Sequence, residues 1–210
     1  MHLDSAGLPF IIGALLLAFV AGVTGGWGFA IPFVVIGAFF IFFFRDPDRH
    51  APAGAGDDAV LSPADGRVLV AGRAAAETAP SGEWQQISIF LSPMDVHVNR
   101  VPVSGRVTRV SFMRGRFLPA YHHDAATANE RSEIWLDHGG QTVVARQVVG
   151  MLARRVVCRV EVGADVRAGE RFGIMKFGSR MDVFVPPSTT LTVRVGQMVR
   201  GGETVIAVLH

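Results

Sequence analysis

Val162-Gly163-Ala164-Asp165-Val166-Arg167-Ala168-Gly169-Glu170 is answered, 33 residues further on, by Val195-Gly196-Gln197-Met198-Val199-Arg200-Gly201-Gly202-Glu203. The two stretches agree at six positions: a Val-Gly pair at the front, a Val-Arg pair in the middle and a Gly-Glu pair at the end. A β-branched residue with glycines on either side reads as a short strand between turns, because glycine accepts the positive φ that tight turns need. Two equivalent strand-turn-strand units are therefore expected. Working outward, alternating runs rich in β-branched residues appear at Arg67 to Val70, Gln86 to Leu91, Gly105 to Phe112, Thr142 to Val148, Arg154 to Val162, Asp182 to Val185 and Leu191 to Val195. Turn residues separate them, which is the pattern of a mainly β domain. The stretch Ala120 to Glu133 holds a short helix or an ordered loop; periodicity does not separate the two.

The amino end is of another kind. From Leu8 to Phe44 no side chain is charged, and only Thr24 and the indole of Trp27 offer a polar group. One helix crossing a bilayer takes about 20 apolar residues, so this run is too long for one pass and just long enough for two short ones. Gly22, Gly25 and Gly26 interrupt its middle, where glycine favours a turn. Two helices, Leu8 to Val23 and Trp27 to Phe44, are expected as a hydrophobic hairpin that either crosses the bilayer or lies in one leaflet. Both ends then lie on one side, and Arg45 and Arg49 place that side in the cytoplasm by the positive-inside tendency. Met1 to Gly7 carries Asp4 and no basic side chain, so an anchor is expected in preference to a signal peptide. Residues 45–60, rich in Pro, Gly and Asp, read as a linker to a domain spanning 61–210.

The chain has 210 residues and a formal charge of +2; since Asp4 is the only charge before Arg45, the remainder carries +3. That balance suits an anionic surface or a phosphate-bearing substrate, and there is no basic run of the kind that binds nucleic acid. The single cysteine, Cys158, excludes an internal disulfide and reads as a core residue of an apolar strand. No His, Cys or acidic residues recur at a metal-ligand spacing, so no metal is expected. The repeat is similar to that of the small β-barrel of biotinyl and lipoyl carrier domains, which makes the expected domain barrel-like. Those carriers modify a lysine at a hairpin tip, and the only lysine here, Lys176, lies between the two repeats. A membrane-tethered adaptor or carrier without catalysis is thus one reading, and Lys176 as a holder of pyridoxal phosphate is another.

Between the repeats runs Phe177-Gly178-Ser179-Arg180-Met181-Asp182-Val183-Phe184-Val185-Pro186. A hydroxyl directly after glycine can attack the preceding carbonyl, since no Cβ obstructs the approach, and convert the amide to an ester. Loss of the serine α-proton eliminates that ester, and hydrolysis of the dehydroalanine left behind gives a pyruvoyl group. This segment resembles the processing site of phosphatidylserine decarboxylases, particularly the short bacterial and archaeal form. Phe44-Arg45-Asp46-Pro47, Leu61-Ser62-Pro63-Ala64-Asp65-Gly66, Ser92-Pro93-Met94-Asp95-Val96-His97-Val98-Asn99-Arg100-Val101-Pro102, Asn129-Glu130-Arg131 and the Gly150, Ala153, Arg154, Arg155 cluster resemble family stretches in the same order.

The resemblance implies cleavage between Gly178 and Ser179 into a large chain, 1–178, and a small chain, 179–210, that stay associated. It implies a pyruvoyl cofactor made from Ser179, which forms a Schiff base with phosphatidylserine in the membrane and releases CO2 and phosphatidylethanolamine. It assigns Asp65 to the relay that activates Ser179 and His97 to the step that acts on the substrate; an imidazole titrates in the range that proton exchange needs. Longer family members carry a second histidine where this chain has Arg100, and arginine cannot be a general base at pH 7. Either His97 performs both proton transfers, or His122 or His123 enters the site, or Asp65 suffices with backbone help. The expected location is the cell membrane with the catalytic part in the cytoplasm; a homo-oligomer is left open.

Overall fold

A computed structural model of the chain describes residues 2–119, 125–150, 156–176 and 179–210. It forms two compact units, Met1–Asp48 and Arg49–His210.

In the first unit, β1 (His2–Leu3) leads through a 3-10 turn into α1 (Leu8–Gly25), and α2 (Trp27–Phe43) returns to β2 (Arg45–Asp46). Gly26 makes the reversal at φ 89°, its N–H donating to the Gly22 carbonyl at 3.1 Å. The helices touch through small residues: Ala14 and Ala18 of α1 and Ala30 and Gly37 of α2 are buried, whereas Phe19, Val23, Trp27 and Phe29 point outward. An apolar exterior around a small-residue seam is how helices pair in lipid. With its preceding turn, Ser5–Gly25 is long and apolar enough to cross a membrane, while Trp27–Phe43 is shorter. Antiparallel pairing of β1 with β2 holds both ends of the hairpin side by side.

The second unit is mainly β. Its strands are β3 (Ala59–Leu61), β4 (Gly66–Arg73), β5 (Gln85–Leu91), β6 (Val98–Arg100), β7 (Gly105–Met113), β8 (Arg131–His138), β9 (Gln141–Val149), β10 (Val156–Cys158), β11 (Asp165–Val166), β12 (Arg171–Met175), β13 (Ser179–Val185), β14 (Thr190–Leu191), β15 (Met198–Val199) and β16 (Val205–Val208), with one short helix, α3 (Ala125–Ala128). The main sheet runs β11-β7-β8-β9-β13-β5-β4-β15, flanked by β10-β12-β6 and β14-β16-β3.

These orders show an internal two-fold. Strands β3, β4, β5, β13, β14, β15 and β16 form one module, and β6 to β12 form a second with the same connectivity, spliced in between β5 and β13. The correspondence reaches individual bonds. Leu61 N donates to Pro102 O at 2.8 Å, and Arg100 N donates to Pro63 O at 2.8 Å. Gly196 binds Val68 as Gly163 binds Val107, at 2.8 and 2.7 Å. Both β4 and β7 bulge two residues after their opening glycine. Those glycines, Gly66 and Gly105, lie flush on the Phe90 and Asp137 carbonyls, where a Cβ would collide with the backbone.

The expected barrel is corrected here: the sheets are not closed. The repeated units are β11 and β15, and each pairs with its own module's strand, β7 or β4. The two-fold therefore sends them to opposite edges of an open eight-stranded sheet instead of bringing them together. One face of that sheet packs Ile87, Ile89, Leu91, Ile134, Leu136, Val143, Ala145, Met181, Val183 and Val185 into the core. The other carries buried ion pairs, Glu133 with Arg146 at 2.7 Å and Arg180 with Asp182 at 2.6 Å, and the Arg146 guanidinium lies 4.6 Å from the Phe184 ring centroid.

Candidate active site

Two segments join the modules, 92–97 leading out to β6 and 176–178 leading back into β13. In the second module the same place is closed by a tight hairpin through Gly139 and Gly140. The structure thus opens one of two equivalent hairpins, and both His97 and Ser179 stand at the opening.

Ser179 starts β13 with Leu91 of β5 on one side and Val149 of β9 on the other. Alternation along the strand puts its side chain on the core face with Met181 and Val183. Ser179 is fully buried, and its Oγ has no hydrogen-bond partner among the described residues. A buried hydroxyl in that condition asks for an explanation, because nearly all such groups are paired. Phe177 and Gly178 lie outside the described residues, as do His122 and His123.

Next along the same face is a pair of amides. Gln147 of β9 sits opposite Met181, and its Nε2 donates to Asn99 Oδ1 at 2.8 Å. Both are fully buried, and Asn99 Nδ2 and Gln147 Oε1 have no partner among the described residues. Asn99 also faces Gly173 across the β6-β12 pair. Three unsatisfied polar atoms make a buried polar cluster at the end of an otherwise apolar core.

His97 is fully buried just before β6. Its Nδ1 lies 2.9 Å from the Asp95 carbonyl, which can only accept, so Nδ1 carries a proton. The His97 carbonyl accepts from Met175 N at 3.2 Å. Ser179 is four residues beyond Met175, a span of at most about 14 Å, so the β6-β12 pairing brings histidine and serine into one corner.

Asp65 enters β4 beside Gly66, and Gly66, Leu91 and Ser179 lie side by side on β4, β5 and β13. Two strand spacings, about 10 Å, therefore separate the Asp65 end of β4 from Ser179. Its partners are Gly201 N, donating to Oδ1 at 2.7 Å, and Arg49, donating to Oδ2 at 2.9 Å. Arg49 also holds Glu203 at 2.8 Å. Burial pushes the Asp65 carboxyl above its ordinary range; the Gly201 hydrogen bond and the Arg49 charge oppose this, and the nearby Asp95 carboxylate adds to it. In the other module Ser104 takes the same place, its Oγ accepting from Ala168 N at 3.0 Å. Asp65 is therefore a turn cap with an added charge. Arg100 is buried, donates to the Gly169 carbonyl at 3.0 Å and packs beside Gly202.

The structure thus gathers His97, Ser179, Asn99 and Gln147 at the module junction and sets Asp65 at its margin, in contact with Arg49 and Gly201. The amide pair was missed in the sequence. Its signal was there, because a glutamine in phase with Val143 and Ala145 falls on the core face of a strand. Cys158 is half-buried against the core, and burial pushes its thiol up.

The chain's residues 36–207 match the family model for phosphatidylserine decarboxylase. It is 39% identical over 207 residues to the phosphatidylserine decarboxylase proenzyme of Solibacter usitatus, covering 99% of this chain and 97% of that one. Its identity to the proenzyme of Geotalea daltonii is 42% over 203 residues, covering 96% and 94%. With the proenzyme of Salinibacter ruber it shares 47% over 173 residues, covering 80% and 75%. The carrier and adaptor reading is left without support, and the chain belongs to the phosphatidylserine decarboxylase family.

Proposed function

We propose that the chain is a phosphatidylserine decarboxylase made as a precursor, which cuts itself between Gly178 and Ser179 and uses the new amino end to convert phosphatidylserine to phosphatidylethanolamine and CO2. The observation that carries this reading is Ser179 itself: buried, unpaired at Oγ among the described residues, and placed at the opened hairpin near two buried amides. In cleavage, Ser179 Oγ attacks the Gly178 carbonyl carbon, the amide nitrogen leaves as the new amino group, loss of the serine α-proton expels the Gly178 carboxylate, and water hydrolyses the dehydroalanine to a ketone with release of ammonia. The base for this step is His97 or Asp65; His97 is buried at the module junction, and Asp65 sits about two strands away.

A pyruvoyl group at residue 179 would supply the ketone for condensation with the substrate amine and the electron sink for loss of CO2. The residues present fit such a group, since Asn99 Nδ2 is a buried donor without a partner among the described residues. His97 returns a proton to the substrate α-carbon, and Asn99 and Gln147 orient the polar head. The large and small chains remain paired through β13, and the apolar helices hold the protein at the cell membrane with the second unit in the cytoplasm. The test is Ser179→Ala, which removes the nucleophile. Wild-type protein should run as two fragments, the smaller one blocked to Edman sequencing, and the variant as one inactive chain. A wild-type protein that stays a single chain and loses no ammonia would falsify the reading.

A further inference from the structure

The apolar helices account for attachment to a membrane, but the second unit carries a surface they do not explain. β7 ends at Met113 and runs into Arg114-Gly115-Arg116-Phe117. Phe112 and Phe117 are 54% and 38% exposed, and Arg114 and Arg116 are exposed with them. No acidic side chain pairs with these two arginines among the described residues. The backbone of this rim is firmly held. Arg116 N donates to Ala128 O at 2.7 Å and Glu130 N to Arg116 O at 3.0 Å, while Gly115 lies flush on the 128–130 backbone.

The rim is tied to the active site. Asn129 Nδ2 donates to the carbonyls of Leu118 at 2.8 Å and Val149 at 2.7 Å, and Val149 is the strand neighbour of Ser179. Phe112, Ser132, Gln147 and Met181 form one cross-strand row over β7, β8, β9 and β13. Alternation sets that row on the face of Ser179. From exposed Phe112 to β13 is three strand spacings, about 14 Å. The face thus grades from an exposed aromatic, through Ser132 and the Asn99-Gln147 pair, to the buried serine.

The molecule contains its own comparison. At the equivalent end of β4 the exposed arginine, Arg73, is neutralised by Glu83 at 2.8 Å, and the residues that follow are Ala74-Ala75-Ala76-Glu77. The arginine and phenylalanine surface is confined to the module whose loop is fastened beside Ser179.

We propose that Phe112, Phe117, Arg114 and Arg116 are a docking surface for an anionic lipid bilayer, separate from the apolar helices, which seats the membrane beside the face that leads to Ser179. The arginines meet the phosphates of lipids around the substrate, the two rings enter the headgroup layer, and the polar row leads one headgroup inward. An arginine near an anionic surface contributes roughly fivefold in affinity, so Arg114 and Arg116 together contribute roughly 25-fold. This proposal rests on the lipid substrate named above, and its test reads the two apart.

Amide hydrogen exchange of the full wild-type chain is followed in peptides covering 109–119, with vesicles of zwitterionic lipid alone and with 30% phosphatidylglycerol. Slowed exchange with the anionic vesicles only, relieved by 0.5 M salt, is the expected result. No slowing with either, or equal slowing with both, overturns it; slowing without vesicles as protein concentration rises assigns the rim to a second copy and also overturns it. These readings need no cleavage or decarboxylation, so a chain that never cuts sinks the proposed function and leaves this result standing. As a second arm, Arg114→Gln with Arg116→Gln should cut as wild type and turn over detergent-dispersed substrate normally. The same variant should lose at least tenfold in activity on anionic vesicles, and unchanged vesicle activity would overturn the proposal.

Discussion

Asp65→Ser separates the two jobs that Asp65 could hold. The substitution copies the other module, where Ser104 caps its turn with a hydroxyl at 3.0 Å from Ala168 N. The Gly201 N–H keeps an acceptor, and Arg49 keeps Glu203 at 2.8 Å, so neither group is orphaned. What is lost is the Arg49 ion pair at 2.9 Å, worth about 1.5–3 kcal/mol as a hydrogen bond to a charged group. Removal of a carboxylate that burial already disfavours offsets part of this. The net loss should be within about 2 kcal/mol, and thermal melts in detergent should show it as a fall of a few degrees. Cutting, by contrast, should slow by roughly 10²-fold or more if the carboxylate activates Ser179, as for loss of a general base. The assay is the fraction of small chain on a denaturing gel against time after synthesis in vitro, repeated across pH. Because the Asp65 carboxyl is raised by burial, wild-type cutting should fade with acid at a higher pH than for an ordinary carboxylate, and Asp65→Ser should lack that limb. The sign for stability is opposite: the folded state holds the proton more tightly, so Asp65 costs stability as pH rises through its raised pKa. A folded Asp65→Ser protein that cuts at the wild-type rate across pH would reduce Asp65 to a turn cap.

His97→Ala should give cut protein whose decarboxylation is at least about 10²-fold slower if His97 serves the substrate alone; a folded variant that stays uncut makes it the base for cleavage as well, and normal turnover removes it from the site. Glu133→Ala leaves Arg146 buried without its 2.7 Å partner, which should cost about 3–5 kcal/mol and lower the melting temperature by roughly 10 °C; a melt within 2 °C of wild type would show the pair to be dispensable. A chain beginning near Asp46 should still cut and should act on short-chain dispersed substrate; if it folds but never cuts, the apolar helices belong to the catalytic structure.

The strands legible in the sequence were those with strong alternation. Gln85–Leu91, Gly105–Met113 and Gln141–Val149 came within two residues of expectation, as did the two apolar helices. β8 was missed because its outward positions are Glu133, Trp135 and Asp137, whose charges masked the inward Ile134 and Leu136. The run expected at Arg154 to Val162 is a strand only at Val156–Cys158 among the described residues, because Gly163 and Val107 hold the following turn against β7. The repeat was read correctly as two like units, and the barrel drawn from it was wrong. Similar local sequence reports similar local structure, but whether two units pair or part depends on which strand each one meets. Ser179 was singled out through its neighbours in sequence. The Asn99-Gln147 pair joins strands 48 residues apart and becomes a site only once they meet.

Splicing one module into the other fixes an order of events for a chain that cuts itself. β13 lies between β5 of its own module and β9 of the inserted one, paired along its length with both. Ser179 therefore has no settled surroundings until the two modules have folded around the strand it begins. A half-made or misfolded chain holds its nucleophile in water, where nothing strains or activates the bond to be cut. Maturation on the proposed reading is then gated by folding itself.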